Sequence, residues 1–221
     1  MFFECGTIRL YYEVEGSGPP LILLHGNGET HRIFDEAVRD LRAHFTVYAV
    51  DTRGHGQSSP VTEYHYDDMT EDIYRFITQL DIKQPLLYGF SDGGIVGLLL
   101  AMRYPGLLSQ LVASGANIEP AGIKKRWLLL FRLLYALSRS PQMKLMLTEP
   151  HITSDALRTI STPTLLTAGS RDMILAAHTR MIHTAIPDSE LFIIHGATHS
   201  SYIVNSNEIA ALLIDRFVKQ T

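Results

Sequence analysis

Gly89-Phe90-Ser91-Asp92-Gly93 reads G-x-S-x-G, and its neighbours give that pattern its weight. Before it stands Pro85-Leu86-Leu87-Tyr88, a short apolar run with the character of a buried strand. After it, Gly94 to Tyr104 reads as a buried helix. A serine on a sharp strand-to-helix turn keeps its hydroxyl out of the backbone hydrogen-bonding pattern and free to attack. Glycines on both sides leave room for such a turn, because a Cβ there would clash. The helix start adds free N–H groups and a positive dipole end that suit a developing oxyanion. The bland alternative is a glycine-rich turn with an incidental serine, and the flanking strand and helix argue against it.

Working outward, strand-like and helical segments alternate. Thr7 to Glu15 mixes β-branched and aromatic residues with charges, as an antiparallel edge strand does. Gly16 to Pro20 is a turn, and Leu21-Ile22-Leu23-Leu24-His25 reads as a strand buried on both faces. Thr30 to Arg42 has helical spacing, Phe45 to Val50 is strand-like, and Met69 to Leu80 puts Ile73, Phe76, Ile77 and Leu80 on one helical face. Leu111 to Ser114, Pro163 to Ala168 and Glu190 to His195 are further strands; Met173 to Ile186 and Glu208 to Lys219 are helical. This alternation predicts an α/β protein with a parallel sheet covered on both faces.

One stretch, about 117–150, breaks the rhythm. It carries Lys124-Lys125-Arg126 and then an apolar run from Trp127 to Leu137, and it reads as an inserted helical lid. Trp127 and Phe131 are its candidate substrate-binding residues, since an apolar helix near a catalytic mouth can wall a pocket and exclude water. Basic residues flanking an apolar run also suit a membrane surface or a partner, and plain core packing is the third reading.

The 221 residues suit one domain with a sizeable core. A formal net charge of −4 gives no reason to expect nucleic acid or an anionic membrane as partner. Cys5 is the single cysteine, so no intrachain disulfide forms, which fits a reducing compartment such as the cytoplasm. Met1 to Gly6 lacks the basic and apolar regions of a secretory signal, and no apolar run reaches the ~20 residues of a membrane span. The expected partner is a small-molecule substrate, bound by a monomer or homodimer.

A serine nucleophile needs a base, and the base needs an acid to orient it. Gly169-Ser170-Arg171-Asp172 follows one strand and Gly196-Ala197-Thr198-His199 follows another. Catalytic groups of open parallel sheets gather at strand carboxyl ends, so Ser91, Asp172 and His199 are the catalytic candidates, in the chain order this type of elbow favours. Asp172 also suits a helix cap, and His195 is a rival base placed at the end of its strand. His195 and His199 are spaced as a metal pair could be, but they fall in a loop and lack a third ligand of suitable spacing; no metal is expected. Backbone N–H groups of Asn27, in His25-Gly26-Asn27-Gly28, and of Asp92 are the candidate oxyanion hole. Asp92 reads either as a complement to the helix start or as a recogniser of a cationic substrate group. The Gly-x-Gly pairs lack the third glycine of a dinucleotide fingerprint and there is no Walker A motif, so no cofactor is implied.

These motifs together resemble the α/β-hydrolase fold superfamily, in its small lidded esterase and peptidase-like branch. His25 to Gly28 is similar to its oxyanion loop, Asp51-Thr52-Arg53-Gly54-His55-Gly56-Gln57-Ser58 to its D-x-R-G-x-G-x-S loop, and Gly89 to Gly93 to its elbow. Gly169 to Asp172 resembles the acid loop and Gly196 to His199 the base loop. The resemblance spans nearly the whole chain. It implies a mostly parallel sheet of about eight strands, one domain over 1–221, and a serine hydrolase acting on a small carboxylic ester, thioester, lactone or amide. The same three groups support a cofactor-free haloperoxidase, a perhydrolase or a carbon–carbon bond hydrolase. A receptor-like binding protein with negligible turnover is the alternative of another class. Arg53 is expected to tie loops together rather than to touch substrate.

Overall fold

The computed structural model describes residues 1–219; the last two positions of the expected domain lie outside them. Eight strands form one sheet in the order β1-β2-β4-β3-β5-β6-β7-β8. They are β1 (Phe2–Cys5), β2 (Ile8–Glu15), β3 (Pro20–Leu24), β4 (Thr46–Val50), β5 (Leu86–Phe90), β6 (Gln110–Ser114), β7 (Thr164–Gly169) and β8 (Ser189–Ile194). β1 pairs antiparallel with β2, and β2 antiparallel with β4; every other pairing is parallel.

The apolar runs alternate between two cores. From β3, Leu21 and Leu23 face one side of the sheet while Ile22 and Leu24 face the other, and all four are fully buried. Burying each such side chain stabilises by about 1.5–3 kcal/mol, so the whole run favours a central, doubly covered strand. On one side lie α1 (Asp35–Leu41) and α8 (Glu208–Phe217), which bring Ala37, Leu41, Ile209 and Leu213 against the sheet. On the other lie α2 (Tyr66–Gln79), α3 (Asp92–Arg103), the one-turn α6 (Ser154–Leu157) and α7 (Ala176–Ala185). β3 has β4 on one side and β5 on the other, so the strand order reverses there. The loops leaving β3 and β5 therefore diverge and open a crevice at their carboxyl ends.

Three sequence expectations change in the structure. Thr7–Glu15 is not the sheet edge, because β1 folds back through Gly6 and covers β2, burying Phe3 and Cys5. Four residues of alternation are too few to stand out as a periodic signal. The helix expected from Thr30 begins instead as a short 3₁₀ turn, His31–Phe34, because Asp51 Oδ1 accepts both the backbone N–H and the ring Nδ1–H of His31 at 2.8 Å. The helix expected from Met173 starts at Ala176, since Ile174 forms an antiparallel bridge to Ile123.

That bridge sits at the base of the irregular stretch. Residues 117–150 fold mainly as α4 (Lys125–Ser138) and α5 (Pro141–Thr148), which pack on each other. Lys124 donates from its backbone to Met173 O at 2.9 Å and from Nζ to Asp172 O, fastening the segment to the loop after β7.

Candidate active site

Ser91 stands between β5 and α3 with φ 51° and ψ −111°. A non-glycine residue there costs roughly 1–3 kcal/mol and persists only where its surroundings enforce it. Here they do. A Cβ on Gly89 would lie 2.1 Å from Gly93 O, and one on Gly93 would lie 2.3 Å from Leu24 O. Those two glycines let the turn close, and Ser91 N–H donates to Ser114 O at 2.7 Å.

The loops after β7 and β8 bring Asp172 and His199 to the same place. His199 Nε2 is 3.2 Å from Ser91 Oγ, and His199 Nδ1 is 2.7 Å from Asp172 Oδ1. Asp172 Oδ1 also accepts the Ile174 N–H at 2.9 Å, so the carboxylate caps its own loop as well as meeting the ring. Burial raises the Asp172 carboxyl, but the hydrogen bond and charge of His199, with the Ile174 N–H, outweigh it and hold the group below its ordinary value. An ionised Asp172 places the imidazole proton on Nδ1 and leaves Nε2 as the acceptor facing Ser91. His195, the rival base, is exposed just past β8.

The His25–Gly28 loop closes the other side. Asp92, first residue of α3, is buried; its Oδ2 accepts from Asn27 Nδ2 at 2.9 Å and its Oδ1 from Tyr66 OH at 2.8 Å. Both oxygens are thus taken by protein donors. Burial raises the Asp92 carboxyl, and the bonds from Asn27 and Tyr66 offset only part of that. Gly26 N–H donates to Glu29 Oε2 at 3.0 Å. Behind the loop, His25 Nε2 accepts the Thr52 N–H at 3.0 Å and Nδ1 donates to Gly26 O at 2.8 Å, while His55 Nε2 accepts the Gly28 N–H at 3.1 Å. Burial and the neighbouring His55 pull His25 down to about 4, so it serves as a neutral hydrogen-bonding post. Arg53 binds Asp72 through Nε and Nη2 and Asp68 through Nη1, tying this support loop to α2.

Residues 19–133, more than half of the chain, match the family model for the alpha/beta hydrolase fold. The chain belongs to the α/β-hydrolase fold family. It is 36% identical over 101 residues to the AB hydrolase superfamily protein YisY of Bacillus subtilis, covering 45% of this chain and 38% of that protein. It is 31% identical over 116 residues to the pimeloyl-[acyl-carrier protein] methyl ester esterase of Vibrio atlanticus, covering 52% and 43%. The match thus spans about two fifths of those relatives' own length. An esterase from Exiguobacterium antarcticum superposes with a TM-score of 0.84 over 97% of both chains at 21% identity, a likeness of fold.

In this member of the α/β-hydrolase fold family the match takes in Asn27, Ser91 and Asp92 and ends within α4. Asp172 and His199 lie beyond it and join Ser91 through the geometry just described. Above Ser91 and His199 lies a cavity of about 20 Å³, walled by Ile123, Phe131, Met146, Met173 and Ile174 and edged by Tyr66, Asp92, Asn117 and Glu149. Phe131 therefore reaches the site. Trp127 does not line the cavity; it packs against Phe131 with ring centroids 6.2 Å apart, because the two lie four positions apart on α4 and Phe131 is the buried one.

Tyr66, Glu29, Glu149 and the Asn27 side chain stand at or beside the site without any local sequence signal to mark them. Tyr66 and Asp92 are far apart in the chain and meet only where α2 packs on α3. No local pattern signals such a pairing. Glu29, three residues past Gly26, carried no motif.

Proposed function

We propose that this protein is a serine hydrolase that cleaves a small carboxylic ester, or a related thioester, lactone or amide, through an acyl-enzyme on Ser91. The unbroken hydrogen-bond line from Asp172 through His199 to Ser91 Oγ carries this reading. His199 Nε2 takes the Ser91 proton as Oγ attacks the carbonyl carbon. Asp172 holds the ring by Nδ1–H and stabilises the imidazolium that forms. The backbone N–H of Asp92, at the first position of α3, has no partner within the helix and is free to meet the oxyanion; the Asn27 N–H is the second donor. His199 then returns the proton to the leaving group (the alcohol oxygen of an ester), and water releases the acid by the same path in reverse.

α4 and α5 act as a lid over this site. A cavity of about 20 Å³ holds roughly one water molecule, so an ester enters only when the two helices shift away from Ser91. Phe131 is the substrate-facing residue of the lid, and Trp127 braces it. The ester class is supported by the esterase among the curated relatives, although the match covers only part of that protein.

The test is hydrolysis of p-nitrophenyl esters of increasing acyl length by wild type beside Ser91→Ala. Turnover in wild type with a loss of roughly 10⁴-fold or more in Ser91→Ala is the expected result. Equal turnover in Ser91→Ala, or none in a well-folded wild type at any length, overturns the reading.

A further inference from the structure

The outer face of α4 carries a second feature that the Ser91 chemistry does not use. Leu129, Leu130, Leu133, Leu134 and Leu137 are all exposed, at 69%, 40%, 57%, 39% and 77%. Their spacing of one and four puts them on one side of the helix, next to the side that carries Phe131 and Trp127. α4 therefore carries one broad apolar arc, of which the Phe131 part is turned inward and the leucine part to solvent. A contiguous patch of five exposed leucines is unusual for a soluble surface and marks a place meant to be covered.

Charge indicates what covers it. All 23 acidic residues of the chain lie outside 120–148, whereas six of its 19 Lys and Arg lie within: Lys124, Lys125, Arg126, Arg132, Arg139 and Lys144. Lys125, Arg132 and Arg139 recur every seven residues and edge the leucine face. These three, with Arg126 and Lys144, are exposed and form no ion pair among the described residues. A positive segment on a chain of net charge −4 does not arise from overall composition. Two copies meeting through α4 would bring like charges together, which disfavours self-association through this face. At 14 residues α4 is about 21 Å long, too short to cross a bilayer but suited to lying in its plane.

We propose that the outer face of α4 docks this protein onto an anionic lipid surface. The leucines enter the boundary between headgroups and acyl chains, and Lys125, Arg126, Arg132 and Arg139 meet the anionic headgroups while their aliphatic stems lie along the apolar layer. Docking in this way requires nothing of Ser91, so it stands or falls separately from the hydrolase reading.

Co-sedimentation with vesicles tests it. The probes are phosphatidylcholine vesicles with and without about 30% phosphatidylglycerol, at low and at about 0.5 M salt. Wild type is expected to bind the anionic vesicles at least ~10-fold more tightly than the neutral ones, and to lose that preference in high salt. Leu133→Glu with Leu137→Glu should abolish binding. Arg126→Glu with Arg132→Glu should abolish the anionic preference. A circular dichroism melt matching wild type confirms that each variant is folded, and neither pair touches the Ser91 cavity. Three results overturn the proposal: no binding to anionic vesicles, equal binding to both compositions, or a concentration-dependent oligomer by sedimentation equilibrium that the leucine variants dissolve.

Discussion

The Asn27 amide donates to the buried Asp92 carboxylate at 2.9 Å, joining the loop after β3 to the turn after β5. The same amide reaches Gln142 O at 3.3 Å, so one side chain links the turn after β5 to α5. Asn27→Ala leaves Asp92 with Tyr66 as its remaining side-chain donor. A buried carboxylate short of a donor costs about 1–3 kcal/mol. The expected outcome is a lower melting temperature together with a drop in kcat, since the loop carrying the Asn27 N–H is freed as well. A melt and kcat both equal to wild type would show the pair to be incidental.

Asp172→Asn keeps the size of the side chain but lets the imidazole settle with its proton on Nε2, facing Ser91. Because His199 Nδ1 and the Ile174 N–H share Oδ1, turning the amide nitrogen toward the ring costs the Ile174 bond, a loss of about 0.5–1.5 kcal/mol that leaves the variant folded. kcat/KM for a p-nitrophenyl ester should fall roughly 10⁴-fold at neutral pH. A loss smaller than about 10-fold would remove Asp172 from the proton relay.

Phe131→Ala enlarges the cavity on the lid side without touching Ser91, Asp172 or His199. The preferred acyl chain should lengthen, with KM for long-chain esters falling relative to short ones. Trp127→Ala should shift the same preference less, because Trp127 supports Phe131 from behind. An unchanged chain-length profile in Phe131→Ala would place the acyl group elsewhere.

His25 makes stability depend on pH. Its folded value, about 4, lies below the ordinary histidine value of 6.5, so the fold favours the neutral ring. That stabilisation is fully present above 6.5 and is lost as pH falls through about 4; the gap corresponds to roughly 3 kcal/mol. Asp92 and Glu29, both raised by burial, act in the opposite sense as acid is added, so the comparison is between wild type and His25→Gln. Thermal melts from pH 7 to pH 4 should fall more steeply in wild type than in the variant. Parallel curves would mean that His25 does not titrate with unfolding.

The elements carrying the candidate site were legible because their signals are local. Leu21–Leu24 and Leu86–Tyr88 announce buried strands through unbroken apolar runs, and the glycines around Ser91 announce a turn that no other residue permits. β1 escaped because four residues carry too little periodicity, and the start of α7 slipped because Ile174 finds a bridge partner in Ile123, about fifty residues earlier. The placing of Trp127 and Phe131 on one helix was readable, but which of them faces the cavity depends on how α4 rolls against α5, and that is a packing outcome.

Local sequence set the alternation of strand and helix, the elbow at Ser91 and the loops that carry Asp172 and His199, since backbone propensity, glycine sterics and hydrophobic period act over a few residues. Packing across the sheet set the 3.2 Å and 2.7 Å contacts that join those three, the Asn27–Asp92–Tyr66 cluster, the small cavity beneath Phe131 and the turning of five leucines to solvent. Each depends on the sheet order and on helices packing across it, so residues separated by up to 108 positions meet through distances and desolvation that no local stretch of chain encodes.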